Sequence, residues 1–296
     1  MDGILYDLGT IAVYVFILTS MFLTGLMVTV KELFAPVHNT RVLSISLFTN
    51  FIAVPLLALA LIAIIPMNPE LAAGLLLMSI AAGAPSTAKV AQFTGGNIAQ
   101  SISLTIIMTI VTIVLMPFLI PFILEGAEAD PLYVTANLVV MILIPIILGI
   151  LIKSRSEALA ARLRPIMDWV SNISIAVIFL TFGLIFLSRI REIVSTSSGA
   201  LAVFVAIVFT LGALAIAYLL GSLAKESRND LAFGSGFRNA TAALVVVFAS
   251  FTSVQNDAFL MVLMVTIFAI IIVTILAGII FKKRMDAEKK AKGSGA

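Results

Sequence analysis

Two basic residues, Lys89 and Arg238, fall inside long apolar stretches of the sequence. Lys89 lies in AGAPSTAKVAQF (82–93), and Arg238 lies in FGSGFRNATAAL (233–244). A basic side chain at the centre of a membrane helix costs about 2.5–3.5 kcal/mol on insertion scales, so such residues usually face a protein interior and serve a function. Their chemistry is the binding of a negatively charged ligand. The alternative for each is a snorkelling side chain or a structural bond to a carbonyl group.

Both stretches also contain residues that interrupt a helix. Gly83 and Pro85 precede Lys89, and Gly236 precedes Arg238. A broken helix exposes N–H groups at a positive dipole end, which favours anions. Small polar residues beside the breaks can satisfy freed backbone groups or donate to a ligand, although such residues at helix crossings often serve packing alone. We therefore predict a substrate site for an anion, which comprises Lys89, Arg238, Asn239, Ser86, Thr87 and Thr241.

The elements that must position these residues are membrane helices. Hydrophobic residues make up 61% of the 296 residues, charged residues make up 11%, and the mean hydropathy is +1.21. Soluble domains are about 45–50% apolar and about 25% charged. Apolar runs recur at the length that a helix needs to cross a hydrocarbon core of about 30 Å, and barrel strands would be about half as long. The composition therefore predicts an all-α integral membrane protein with the lipid bilayer as a partner.

Apolar length and polar breaks predict nine transmembrane helices. A count of ten requires a division at Pro85, which leaves two halves too short to cross a bilayer of about 30 Å. The nine predicted spans are 8–30, 41–66, 70–95, 98–123, 131–153, 165–190, 198–222, 229–252 and 257–281.

The basic residues favour one orientation of these spans. Lys and Arg cluster at 153–164 and 282–292, whereas acidic residues cluster at 125–130. The positive-inside rule then places the N-terminus outside and the C-terminus in the cytoplasm of the cell (inner or plasma) membrane. His38 is predicted to face solvent in an inner loop. The basic pI near 9.3 arises from inner loops and the tail, so we expect no nucleic-acid partner.

The sequence also contains signs of an internal repeat. FLTGL (22–26) matches FLTFGL (179–184) at nearly the separation that relates Gly83 to Gly236. Since one span lies between the copies, the second copy must be inverted. Inverted repeats with broken helices in corresponding positions, here spans three and eight, indicate a secondary transporter. The predicted divisions are a first repeat (1–125), span five with a cytoplasmic linker (126–160), an inverted second repeat (161–285) and a basic cytoplasmic tail (286–296).

Three segments in this order resemble the bile acid/sodium symporter family: GAPSTAKV, GGNIAQSISLT (95–105) and GSGFRNATAAL. The resemblance covers nearly the whole chain. It implies a panel domain formed by spans one, five and six, and a core domain formed by the others, in which the two broken helices cross. It also implies alternating access, in which the core moves against the panel and carries an organic anion. Two sodium ions usually bind behind the crossing.

Several residues match positions that the family uses. The resemblance places Ser101 and Thr105 on hydroxyl groups that act as sodium ligands, and Asn50 on an amide of the other sodium site. Asn239 matches the asparagine at the crossing. Other positions depart from the family: Lys89 replaces an asparagine ligand, Gly234 a glutamate and Arg238 a glutamine.

These departures lead to the main hypothesis about mechanism. We expect Lys89 and Arg238 to replace the sodium ions, with Ser101, Thr105 and Asn50 as the remnant of the ion sites. Transport would then be independent of sodium. Arg cannot lose its charge, whereas a desolvated Lys can, so Lys89 is the candidate for a proton switch. Na⁺ or H⁺ is the alternative coupling ion, and no cofactor is expected.

Other functions agree less well with the sequence. A sodium-coupled organic anion symporter and an auxin-efflux-type carrier are the nearest alternatives, followed by a passive anion channel or a sensor. An intramembrane enzyme would need paired acids, an HExxH motif or a Ser/His arrangement, so we expect no enzyme. We also expect no acidic residue deep in the spans and no acidic partner for either cation. Bile acids, keto acids and pantoate-like acids all fit as substrates.

Overall fold

The computed structural model describes residues 2–33, 39–123, 131–195, 197–224, 228–250 and 257–293, and within these ranges every regular element is helical. Eight helices have a length and apolar composition that suit a membrane crossing. The predicted all-α membrane fold is therefore confirmed. His38 and the acidic positions 125–130 lie outside the described residues.

The helices overlap the nine predicted spans, but eight of those in the described ranges suit a crossing, so the count of nine stays a prediction. In chain order they are α1 (Asp2–Leu26), α2 (Val30–Leu33), α3 (Thr40–Phe48), α4 (Val54–Ile64), α5 (Pro69–Ile80), α6 (Thr87–Thr94), α7 (Ile98–Ile123), α8 (Pro131–Leu138), α9 (Ile144–Arg155), α10 (Glu157–Ser195), α11 (Ser197–Gly221), α12 (Arg228–Gly236), α13 (Ala240–Ser250) and α14 (Asp257–Gly293).

Two short π-helical segments connect helices without ending them. Thr49–Ala53 joins α3 to α4, and Val139–Leu143 joins α8 to α9. Each lies just before a proline, Pro55 or Pro145, at the start of the next helix. Proline has no N–H and its ring clashes with the carbonyl group four residues earlier, so a wider turn relieves the contact. The first segment contains Asn50, which belongs to the predicted ion-site remnant.

The breaks predicted in spans three and eight are present in the structure. Span three consists of α5 and α6, which are separated by residues 81–86, and neither half alone is long enough to count among the eight crossing helices. Gly83 lies in this break with a φ of +87°. A Cβ at this position would lie 2.3 Å from Thr109 Oγ1 and 2.4 Å from Thr105 O, so only glycine fits here.

The helices form two packed groups. In the first, α1 packs against α9 and α10, and its backbone comes close to α9 where Gly25 faces Gly149. In the second, α5 and α6 pack against α14, and α11 packs against α12 and α14. Phe182 of α10 and Phe259 of α14 meet edge to face with 4.9 Å between ring centroids, and both are buried. This aromatic pair joins the two groups.

Candidate anion site and helix crossing

The two helix breaks contact each other directly. The backbone N–H of Asn239 donates to Ala81 O at 2.8 Å. Asn239 also caps α13, because its Oδ1 accepts from the N–H of Ala242 at 3.1 Å. The crossing therefore holds the C-terminal end of α5 beside the N-terminal end of α13.

Hydroxyl groups of α7 satisfy the backbone that the first break frees. Thr112 Oγ1 accepts from the N–H of Ala82 at 3.0 Å, and Thr109 Oγ1 donates to Gly83 O at 3.1 Å. Irregular backbone in a membrane protein is stable only where such partners replace the helical bonds. The roles of Thr109 and Thr112 were not predicted from the sequence. Their spacing could have indicated them, because Thr105, Thr109 and Thr112 share one face of α7.

Arg238 lies at the crossing and is buried, with 4% of its surface exposed. Its Nε donates to Met78 O at 2.9 Å, its Nη1 to Asn50 Oδ1 at 2.5 Å, and its Nη2 to Ser79 O. Met78 and Ser79 lie in the last turn of α5. All these acceptors are neutral, and no described acidic side chain forms a salt bridge with Arg238. The guanidinium is therefore held firmly while its positive charge stays uncompensated.

An apolar pocket of about 70 Å³ lies between the two helix groups and reaches Arg238. The first group contributes Phe16 and Phe179, whose apolar rings face the breaks across the pocket. The second group contributes Ser86, just before α6, and Thr241, in the first turn of α13. Both half-helices thus direct their N-terminal ends at the pocket, and such ends favour anions.

A second, polar cavity of about 20 Å³ lies on the other side of the break. This volume suits one water-sized occupant, which needs about 10–15 Å³. Ser101 and Asp230 line this cavity, and Ser101 Oγ and Asp230 Oδ1 are buried without a hydrogen-bond partner among the described residues. Four predicted residues share the cavity: Asn50, Thr87, Ser101 and Thr105.

Asp230 lies in the first turn of α12 and is 5% exposed. Its Oδ2 accepts from the N–H of Asn97 at 3.0 Å. A Cβ on Gly96 would come within 1.8 Å of Oδ1, so glycine permits this close approach. Gly234, where the family resemblance predicts a glutamate, lies one turn further along α12 and lines the same cavity. Asp230 and the position from which that glutamate is missing therefore line the same cavity.

Lys89 lies apart from Arg238 and forms a salt bridge. Its Nζ is 2.6 Å from Asp168 Oδ1 on α10, and the two side chains are 53% and 39% exposed. Lys89 lines neither the apolar pocket nor the polar cavity.

Several sequence-based expectations need correction here. The sequence placed Lys89 in a protected cavity without an acidic partner, but α6 turns it towards α10 and Asp168. Asp230, which is buried in the first turn of α12, was also given no role from the sequence. Both acids lie near the ends of predicted spans, and for this reason they were not counted as deep. The predicted site residues thus divide: Ser86, Arg238 and Thr241 line the pocket, Asn50, Thr87, Ser101 and Thr105 line the cavity, and Asn239 joins the breaks.

A family model described as the Sodium Bile acid symporter family matches residues 14–196. This range covers the first broken helix, the cavity residues Ser101 and Thr105, and both members of the Lys89–Asp168 pair. Arg238 and Asp230 lie beyond it. No curated protein matches the chain.

Proposed function

Because this chain belongs to the sodium bile acid symporter family, whose members are transporters and not enzymes, we propose that it carries an organic anion by alternating access without a sodium requirement. Arg238 acts as the fixed positive charge in place of a coupled sodium ion. In this proposal α1, α8, α9 and α10 form the panel, and the other helices form the core. The proposal also has the chain cross the cell membrane nine times, with the N-terminus outside and the C-terminus in the cytoplasm.

The observation that carries the proposal is the environment of Arg238. Its guanidinium binds the carbonyl groups at the end of α5 and the amide oxygen of Asn50. Neutral oxygens at the negative end of a half-helix are the ligands that transporters of this type offer to Na⁺. A guanidinium that is bound to them supplies the same charge, and it is always protonated. The carrier therefore needs no free cation at this position.

The apolar pocket supports an amphiphilic anion as the substrate. Its aromatic and aliphatic walls suit a hydrocarbon portion, whereas Ser86, Thr241 and the ends of α6 and α13 suit a carboxylate near Arg238. Lys89 is not needed as a second sodium substitute, because its ammonium group already pairs with Asp168. The substitution for sodium is thus proposed for Arg238 alone.

Transport by the purified protein in proteoliposomes tests this proposal. We would measure uptake of bile acids, keto acids and pantoate-like acids in K⁺ buffer without Na⁺. For at least one anion we expect saturable uptake that unlabelled anion on the opposite side accelerates. Flux that neither saturates nor responds to exchange would instead indicate a channel.

A second candidate function is sodium-coupled symport through the polar cavity. The observation that favours it is the pair of buried, unpartnered oxygens, Ser101 Oγ and Asp230 Oδ1. Hydroxyl and carboxylate oxygens suit a small hard cation. This candidate predicts that Na⁺ but not K⁺ raises the melting temperature, and that Asp230→Asn abolishes the effect. The exposed acid Asp286 offers a control, because we expect Asp286→Asn to keep the rise in melting temperature that Na⁺ causes.

A further inference from the structure

The salt bridge between Lys89 and Asp168 has no role in the proposed function so far. It joins α6, the second half of the first broken helix, to α10, and its two charged atoms lie 2.6 Å apart. The other carboxylate oxygen of Asp168 accepts from Asn172 Nδ2 at 3.2 Å, one turn further along α10. Asp168 is therefore held in place by its own helix, while Lys89 reaches it from the opposite group.

The salt bridge lies at the edge of the apolar pocket. Ser86, one turn before Lys89 on the same segment, lines the pocket, and so does Ile175, two turns after Asp168 on α10. The same two elements thus form the pocket wall and the ion pair. A core motion that carries α6 away from α10 therefore separates this pair.

The chemistry of the pair permits exchange with a ligand. Partly exposed ion pairs contribute little net stability, because both ions remain partly hydrated and screened. Lys has a flexible stem and three donor N–H groups, so it can turn from one carboxylate to another. A carboxylate on an entering ligand offers the same two oxygens as Asp168.

We propose that Asp168 is an internal competitor of the substrate. Its carboxylate holds Lys89 and closes the gap between α6 and α10 in the unloaded carrier, and the substrate carboxylate displaces it on entry. This inference rests on the proposed transport function and adds Asp168 as a residue that sets affinity. Carriers with a free Lys89 bind the entering anion more tightly, because Lys89 adds its charge to that of Arg238 in the pocket, so pairing with Asp168 weakens the apparent affinity.

Kinetics of three variants test this competition. Asp168→Asn removes the competitor, so we expect the KM for the transported anion to fall several-fold. Lys89→Gln removes the shared ammonium group, so the KM rises. The charge swap Lys89→Asp/Asp168→Lys restores an ion pair but not the wild-type KM, because the ammonium group then lies on α10. Recovery of the wild-type KM in the swap would show that only the presence of an ion pair matters and would overturn the proposal.

A cross-link tests whether the pair must separate during transport. The chain contains no cysteine, so Lys89→Cys/Asp168→Cys introduces the only two thiols. We expect a short bifunctional thiol reagent to stop uptake by this variant, and cleavage of the bridge to restore it. The control Asp168→Cys/Asn172→Cys forms a bridge within α10 and keeps transporting.

The result that contradicts the inference is transport by the bridged variant at the rate of its unbridged form. A wild-type protein that transports no anion in any assay would refute the proposed function instead. The two failures are therefore distinguishable.

Discussion

Arg238 shows how one side chain combines full burial with a purely neutral set of partners. An isolated buried charge is costly unless hydrogen bonds compensate it, and Arg238 obtains them from Met78, Ser79 and Asn50. None of these groups cancels its charge. In the proposed function a ligand anion in the adjoining pocket does so, which gives Arg238 a binding role besides its structural one.

Arg238→Gln tests the binding role. Because a hydrogen bond to a charged group is worth about 1.5–3 kcal/mol, we expect the apparent anion affinity to fall about tenfold or more. Arg228→Gln is the matched control, because Arg228 begins the same broken helix but stacks over Tyr218 at 3.6 Å from the ring centroid. Initial uptake rates at varied anion concentration give the apparent affinity of each variant. If Arg238→Gln keeps the wild-type affinity for the anion, the role of Arg238 is structural and the binding role is contradicted.

At the scale of elements, the two broken helices create the site. The break in α5–α6 depends on Gly83 and on the hydroxyl groups of Thr109 and Thr112, which replace helical hydrogen bonds. The break in α12–α13 depends on the cap that Asn239 forms. Together they bring two N-terminal helix ends to one pocket.

Gly83→Ala tests whether this crossing needs a glycine. A Cβ would lie 2.3 Å from Thr109 Oγ1, and the φ of +87° disfavours alanine. We expect a lower melting temperature and a loss of most uptake, since the break and the pocket share this backbone. Gly183→Ala is the control, because a Cβ there meets nothing within 4 Å. Equal melting temperatures for the two variants would contradict this account of the break.

The helices and their breaks were easier to predict from the sequence than the contacts between distant side chains. Apolar length and the positions of Gly83, Pro85 and Gly236 were enough to predict the helices and their breaks, because these depend on local sequence. The pairing of Lys89 with Asp168 was not predictable, because the two residues are 79 positions apart and meet only when α6 packs near α10. Asp230 was missed for a similar reason. Its burial depends on the close approach that Gly96 permits.

At the scale of the whole molecule, our proposal assigns the coupling to the charge at the crossing. The family resemblance expects a glutamate at position 234 and a glutamine at position 238, whereas this chain has glycine and arginine. The net change removes an acid and adds a cation that is part of the chain. In the proposed function, anion transport then no longer depends on a cation from solution.

The double variant Gly234→Glu/Arg238→Gln tests this relationship. A Cβ at position 234 would meet only Thr87 Cγ2 at 3.6 Å, which is an ordinary contact. The first carbon of a glutamate side chain therefore fits at this position without a clash. We expect uptake by this variant to require Na⁺, which would then occupy the oxygens that Arg238 leaves. Arg238→Gln alone is the control, and it gains no such requirement. Uptake by the double variant that ignores Na⁺ would argue against a sodium position at the crossing.

The most direct test of the central claim is the initial rate of anion uptake by the wild-type protein in proteoliposomes, with an inward Na⁺ gradient and with K⁺ in place of Na⁺ at equal membrane potential. Because Arg238 supplies the positive charge permanently, we predict equal rates in the two conditions. A strict requirement for Na⁺ would contradict the claim and favour sodium-coupled symport through the cavity of Ser101 and Asp230.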